Sequence, residues 1–100
     1  MAKIAIAAIK DSLDSKISQV AGRAPFWLIF EDKELIKSIK NPFQFGGGGA
    51  GFGVAKMLKK EEVQLVIAGQ FGPNMQKALE DYGIKSQIKQ DITVKEALKE

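Results

Sequence analysis

The sequence contains neither cysteine nor histidine. Without cysteine no disulfide can form, and without both residue types the usual ligands of zinc, copper and iron–sulfur clusters are missing. Thiolate and imidazole catalysis are excluded for the same reason. Carboxylates, carbonyl groups, methionine sulfur or water would have to hold any metal ion. From the sequence we therefore assign no catalytic and no metal-ligating residue.

Long hydrophobic runs and a strong excess of one charge are also missing. No apolar stretch approaches the roughly 20 residues of a membrane span, and the first residues lack the pattern of a secretory signal peptide. The net charge of +3 comes from scattered lysines, without the basic stripe and interleaved aromatics of nucleic-acid-binding proteins. We expect a cytoplasmic protein that binds neither membrane nor nucleic acid. Abundant lysine, glutamate and isoleucine favour a thermophilic origin.

The length of 100 residues, with 45% hydrophobic and 27% charged, predicts one globular domain over residues 1–100. Its hydrophobic pattern predicts the element order β, β, β, α, β, α, β, α. The predicted strands cover residues 3–9, 26–30, 35–40, 63–68 and 84–89. The first predicted helix follows the glycine run and ends near Glu62. The others begin at Pro73, a favoured first helical residue, and at a Thr93–Glu96 capping box.

The alternation of strands and helices in the second half predicts parallel pairing with right-handed crossovers, whereas the polar turn at 31–34 predicts an antiparallel hairpin. The expected fold is a three-layer α/β/α arrangement with a five-stranded mixed sheet of order 3-2-1-4-5, in which strand 2 is antiparallel. Strands 1, 3 and 4 then end at one edge, where open α/β sheets bind ligands. The loops 11–23, 41–53 and 69–73 are expected to meet there.

Six of the ten glycines lie in residues 46–53, directly before a segment with helical spacing. Where such a loop begins a helix, unpaired N–H groups and the positive end of the helix dipole point at one place, and an anion binds there. The alternative is a flexible connector. The pattern is neither a dinucleotide fingerprint nor a P-loop, since it follows Asn-Pro and no Lys-Ser or Lys-Thr comes after it. The candidate glycine contacts are Gly47, Gly48, Gly49 and Gly51, with Gly72 before the next helix.

Arg23 is the only arginine among fourteen lysines and follows Gly22. A planar guanidinium suits bidentate recognition of an anion, so we predict that Arg23 and Gly22 contact the ligand. The pattern fits equally well an ion pair with a carboxylate that pins the loop. Asp11, which follows the first strand at the same edge, is a further candidate ligand contact, with a turn-forming role as the alternative.

Two other groups of residues near these loops allow either a functional or a structural interpretation. Asp11 and Asp14 follow the first strand, and Glu31 and Asp32 follow the second; together they could hold divalent ions for phosphoryl chemistry. Because strand 2 runs the other way, we expect the two pairs at opposite edges of the sheet. The phenylalanines at 43, 45, 52 and 71 are expected to anchor the loops to the core, with a pocket wall as the alternative.

Short motifs in a fixed order run along nearly the whole chain. They are the strand 3–9, Asp11–Ser18, Gly22–Pro25, Asn41-Pro42, the glycine-rich helix start 47–50, Ala68–Asn74, the turn 83–85 and Thr93–Leu98. In this set the chain resembles the dinitrogenase iron–molybdenum cofactor biosynthesis family. The resemblance implies a small cytoplasmic protein with a ribonuclease H-like fold.

The resemblance also implies a non-enzymatic protein that carries or inserts iron–sulfur or iron–molybdenum cofactor precursors, with a cluster-biosynthesis protein as partner. The family usually has His-Phe-Gly-Arg-Ala before its second strand, and this chain has Val20-Ala21-Gly22-Arg23-Ala24. The histidine ligand therefore does not carry over. We predict that backbone N–H groups and Arg23 hold an anionic precursor or small molecule of unknown identity. The alternatives are a module for a phosphorylated metabolite or nucleotide, and a carboxylate-metal phosphohydrolase or nuclease.

Overall fold

A computed structural model describes residues 3–45 and 49–99 of the chain. Within these residues the strands are β1 (Lys3–Ala8), β2 (Phe26–Glu31), β3 (Glu34–Lys40), β4 (Leu65–Ala68) and β5 (Lys85–Ile88). The helices are α1 (Ala50–Lys60), α2 (Pro73–Asp81) and α3 (Val94–Lys99). The element order is the predicted one. None of the helices in the described ranges is both long and apolar enough to cross a membrane.

The strands form one mixed sheet of order β3-β2-β1-β4-β5. β2 is antiparallel to β1 and β3, with Ala7 opposite Trp27, whereas β4 pairs in parallel with β1 and β5. The predicted order and strand directions are therefore confirmed. β1, β3, β4 and β5 all end at one edge of the sheet, which we call the carboxyl edge.

Side chains alternate between the two faces of the sheet, and each face is covered by helices. Ala5 and Ala7 of β1 belong to a core shared with α1 and α2, whereas Ile6 and Ala8 belong to a second core shared with α3. This two-sided burial explains the nearly unbroken apolar run of β1. The molecule is therefore built of three layers, as predicted.

The loop between β1 and β2 is ordered by short-range hydrogen bonds. The Ser15 hydroxyl accepts the backbone N–H groups of Ile9 and Lys10 at 3.0 and 2.9 Å, and the N–H of Ser18 donates to the carbonyl of Ala7 at 2.9 Å. These bonds fold the loop back along β1. They bring its last part, with Gly22 and Arg23, to the carboxyl edge.

The first helix begins earlier than its hydrophobic pattern predicts, because it includes Gly51 and Gly53. A Cβ on Gly51 would lie 3.0 Å from the Cβ of Met75, and one on Gly53 would lie 2.5 Å from the ring of Phe43. Glycine is a poor helix former, so helix propensity alone points to a later start. A side chain at either position would force its neighbour to shift, so the close packing favours glycine there.

Candidate functional site

The three loops predicted to meet do so at the carboxyl edge, as far as the described residues extend. The N–H of Ala21 donates to the carbonyl of Gln70 at 3.0 Å, and that of Gly69 donates to the carbonyl of Ser18 at 2.9 Å. From the third loop, the Asn41 side chain donates to the carbonyl of Gly22 at 3.2 Å. The loops therefore form one connected structure.

A cleft of about 220 Å³ opens where the β1–β2 loop faces the first turns of α1 and α2. Loop and helix residues line it: Val20, Gly22, Arg23, Ala50, Gly51, Gly72, Pro73, Asn74 and Met75. Its floor includes the close contact between Gly51 of α1 and Met75 of α2. The two helices thus present their N-terminal ends to the same space.

Neither of these helix ends is neutralised by a side chain in the described part of the chain. Gly49 (φ 87°) is the N-cap of α1 and Gly72 that of α2; neither helix has a capping side chain or an acidic residue in its first turn. The first-turn N–H groups of α1 therefore lie beside the cleft with those of the residues after Pro73 in α2, since proline itself has no N–H, and so do the positive ends of both helix dipoles.

The third helix provides the contrast within the same molecule. Its N-terminus is closed by a capping box in which the Thr93 N–H donates to Glu96 Oε1 at 2.9 Å and the Glu96 N–H donates to Thr93 Oγ1 at 3.1 Å. The carbonyls of Ser15 and Leu13 accept the next N–H groups, those of Val94 and Lys95, at 2.8 and 3.0 Å. Only the two helices at the cleft present N-termini without such caps, among those described.

Arg23 is half-buried, lines the cleft and joins it to a neighbouring loop. Its Nη1 donates to the carbonyl of Phe43 at 3.1 Å. Of the two roles left open by the sequence, loop pinning is thus visible, with a backbone carbonyl as partner. The same residue also brings a permanent positive charge to the cleft wall.

All lining residues come from three segments that contain no aspartate or glutamate: 15–30, 35–60 and 63–79. The basic residues in these segments are Lys16, Arg23, Lys37, Lys40, Lys56, Lys59, Lys60 and Lys77. Arg23 is, however, the only charged residue among the described residues that line the cleft, so the charge nearest to it favours an anion.

The structure brings together some of the predicted contact residues and separates others. Gly22, Arg23, Gly51 and Gly72 line the cleft, while Gly49 is an exposed N-cap outside the lining set. Asp11 does not line the cleft; its carboxylate is exposed and accepts the Ser38 hydroxyl at 2.7 Å. The predicted contacts Gly47 and Gly48 lie outside the described residues.

Several lining residues were not predicted as contacts, among them Asn74 and Met75. The first residue of their helix, Pro73, was correctly identified, so the residues after it were accessible to the same helix-terminus argument. Val20 carries no such signal, because an isolated apolar residue in a loop has no distinctive pattern.

The predictions for the carboxylates and phenylalanines near the loops agree with the structure only in part. Glu31 pairs with Lys3 at the edge opposite to Asp11, as predicted. Within residues 3–45 and 49–99, no group of three or more acidic residues could hold a metal ion. Phe43 and Phe71 pack against the core, but Phe45 and Phe52 are 82% and 49% exposed, so the expectation that all four are anchors is wrong for these two.

The donors at the cleft determine what it can bind. They are backbone N–H groups and a guanidinium, which bind oxyanions or sulfide-rich anions through hydrogen bonds and charge. The sequence offers no thiolate or imidazole for a direct bond to iron or molybdenum. The residues therefore fit an anion held without coordination and do not fit a directly ligated metal cluster.

A family model and several solved structures match nearly the whole chain. The family model described as dinitrogenase iron-molybdenum cofactor matches residues 2–100. The apo form of the orange protein from Desulfovibrio gigas superposes with a TM-score of 0.91 at 27% identity, covering 99% of this chain and 85% of that chain. A candidate NifB protein from Thermotoga gives 0.85 at 26% identity with the same coverage. A search of the curated proteins found no match.

A more distant solved structure agrees in fold alone. A candidate dinitrogenase from Methanocaldococcus jannaschii has a TM-score of 0.64 at 20% identity, covering 96% of this chain and 83% of that chain.

Proposed function

The chain belongs to the dinitrogenase iron–molybdenum cofactor family, and we propose that it is a small non-enzymatic binding protein whose cleft holds an anion. The anion is an iron–molybdenum or iron–sulfur cofactor precursor carried as cargo, and a cluster-biosynthesis protein is the recipient. Cytoplasmic location, thermophilic origin and the ribonuclease H-like classification stay predictions alongside it.

One observation carries the proposal: the uncapped N-termini of α1 and α2 meet at Arg23. A helix N-terminus contributes about half a positive charge, and hydrogen bonds to a charged group are stronger than neutral ones. Without a ligand that forms a bond to the cargo, binding is expected to be weak and transient, which suits a carrier.

The size of the cleft bears on which anion it takes. Its volume of about 220 Å³ is below the roughly 300 Å³ at which pockets for drug-sized ligands begin. A compact inorganic anion or cluster fragment therefore fits better than a nucleotide. Since the described residues hold no group of carboxylates suited to a metal ion, a carboxylate-metal hydrolase has the least support.

The test of the anion site compares wild type with Arg23→Ala and Lys59→Ala by calorimetric titration with molybdate and phosphate. Arg23→Ala should weaken binding about tenfold to a hundredfold, since a hydrogen bond to a charged group contributes about 1.5–3 kcal/mol. Lys59→Ala removes the same charge near the other end of α1 and should change the affinity less than threefold, roughly the effect of a screened distant charge. Equal affinities in all three proteins would refute the site.

The identity of the cargo needs a second experiment. The protein is mixed anaerobically with a source of iron–molybdenum or iron–sulfur cluster precursor, passed over a gel-filtration column and analysed for metal. Stoichiometric metal in the protein peak, lost in Arg23→Ala, supports the carrier. A metal-free peak together with thermal stabilisation by phosphorylated metabolites would favour the metabolite-binding alternative.

A further inference from the structure

Asn41 is a buried polar residue at the end of β3, with 4% of its surface exposed. Its side-chain nitrogen donates to the carbonyls of Gly22 and Ala24 at 3.2 and 2.9 Å. Its side-chain oxygen accepts the N–H of Phe43 at 2.9 Å. Both protons of the amide nitrogen and the oxygen are thus engaged, which is nearly the full capacity of the group.

These partners surround Arg23 from both sides. Gly22 and Ala24 are its neighbours in the chain, so Asn41 fixes the backbone from which the arginine side chain extends. Phe43 provides the carbonyl that accepts Arg23 Nη1 at 3.1 Å, and Asn41 holds the N–H of that same residue. One buried amide therefore fixes the backbone on both sides of Arg23 and also binds the residue whose carbonyl accepts its guanidinium.

We propose that Asn41 is the positioning residue of the anion site and acts through Arg23; this inference rests on the proposed function. A long side chain loses rotamer freedom when it binds, and a guanidinium already fixed in place avoids part of that cost. The chemistry of asparagine suits the role. Aspartate would lack both donors and would place a negative charge against the carbonyls of Gly22 and Ala24, and alanine would leave three backbone groups without this partner.

A purely structural role for Asn41 makes a different prediction. The loss of the three hydrogen bonds of the Asn41 side chain destabilises the protein whether or not Arg23 is present. A positioning role requires the effect on anion binding to disappear when the arginine is absent. Stability alone cannot separate the two roles, but the coupling between the two substitutions can.

The experiment is a double-mutant cycle with wild type, Asn41→Ala, Arg23→Ala and the double variant, titrated with molybdate at a temperature where all are folded. Asn41→Ala should weaken binding about fivefold to tenfold in the presence of Arg23 and less than about twofold in its absence, as expected for directly coupled residues. Thr93→Ala, which weakens the cap of α3 across the sheet, is the control for general destabilisation and should leave the affinity unchanged.

A ligand-independent measurement completes the test. The NMR order parameter of the Arg23 side-chain Nε–H should fall below about 0.6, the range of flexible groups, in Asn41→Ala and stay at the wild-type value in Thr93→Ala. If Asn41→Ala does not fold, Asn41→Ser, which keeps one hydroxyl donor, replaces it.

The outcomes separate this proposal from the function on which it rests. If Arg23→Ala weakens binding but Asn41→Ala does not, or weakens it equally with and without Arg23, the positioning role is refuted and the anion site stands. If wild type does not bind molybdate or phosphate, or Arg23→Ala has no effect, both proposals fail.

Discussion

Gly51 of α1 and Met75 of α2 pack so closely that even a methyl group on Gly51 would force Met75 to shift. A Cβ on Gly51 would lie 3.0 Å from the Cβ of Met75 and 3.1 Å from its backbone nitrogen. Real Cβ atoms essentially never approach closer than this. The contact therefore sets how near the first turns of the two helices can come, and with it the width of the cleft between them.

We expect Gly51→Ala to destabilise the protein although it replaces a poor helix former with the best one. The gain in helix propensity is about 1 kcal/mol, whereas overpacking against the Cβ and backbone of Met75 costs about 1–3 kcal/mol. The net loss in the free energy of unfolding should be on the order of 1 kcal/mol. Urea unfolding, followed by the fluorescence of the buried Trp27, measures it.

Gly22→Ala is the matched control for this prediction. Gly22 also lines the cleft, but a Cβ there would lie 3.5 Å from its nearest neighbour, the backbone nitrogen of Gly51, in ordinary van der Waals contact. The free energy of unfolding should change by less than about 0.5 kcal/mol, as for most surface substitutions. If Gly51→Ala were as stable as Gly22→Ala, the helices would have to separate without cost, contrary to the packing described.

The same contact illustrates what the sequence could and could not predict. The apolar run of β1 and the aromatic run of β2 have the pattern of strands, and Val54, Met57 and Leu58 have the i, i+3, i+4 spacing of a helix face, so order and topology followed from local patterns. The start of α1 could not be predicted in this way, because the glycine at position 51 is explained by its close contact with Met75, which is distant in the chain. Long-range packing overrides propensity there.

For the candidate site, the sequence predicted the position in the fold but not all of the contacts. Strand order placed Gly22, Gly51 and Gly72 at one edge, and the structure puts them around one cleft. The separation of Asp11 from this cleft could not be foreseen, since its partner Ser38 lies on a strand two positions away in the sheet. Nor does sequence spacing show that the carbonyl of Phe43 accepts from Arg23.

The β2–β3 turn offers a stabilising substitution. Asp32 and Lys33 have positive φ angles of 52° and 69°, as the central residues of a type I′ hairpin turn do, and glycine is preferred at the second of these positions. We expect Lys33→Gly to raise the free energy of unfolding by up to about 1 kcal/mol, because glycine adopts this conformation without steric cost.

Lys33→Ala is the control for charge in the same turn. It removes the positive charge but keeps a Cβ at positive φ, so it should give no gain in stability. Thermal or urea unfolding of the two variants under identical conditions makes the comparison. A gain of equal size in both would assign the effect to charge and would contradict the strain described.

The α3 capping box should make stability depend on pH. Hydrogen bonds from the backbone N–H and the hydroxyl of Thr93 hold the pKa of Glu96 below its ordinary value of 4.5. A carboxyl group with a lowered folded pKa stabilises the protein fully above the unfolded value, and this contribution is lost as the pH falls through the folded pKa. Glu96→Gln should therefore be less stable than wild type above pH 4.5.

The difference between wild type and Glu96→Gln should shrink as the pH falls below 4.5, which urea midpoints at a series of pH values will show. Thr93→Ala keeps the carboxylate and the bond from the backbone N–H but loses the hydroxyl, so it should retain only part of the wild-type pH dependence. A difference between wild type and Glu96→Gln that stayed constant through this range would mean that the carboxylate charge is not what the cap recognises.

Gly22 provides a way to narrow the cleft without disturbing the fold. A Cβ there would lie 3.5 Å from the backbone nitrogen of Gly51, which is ordinary van der Waals contact. We therefore expect Gly22→Ala to be as stable as wild type within about 0.5 kcal/mol. Its methyl group would, however, lie beside the first-turn N–H of α1, where the proposed anion binds. Molybdate affinity should fall about tenfold, the cost of roughly one lost charge-assisted hydrogen bond. Titration of Gly22→Ala beside Thr93→Ala, the control at the cap of α3, checks this, and full affinity in Gly22→Ala would place the anion away from α1.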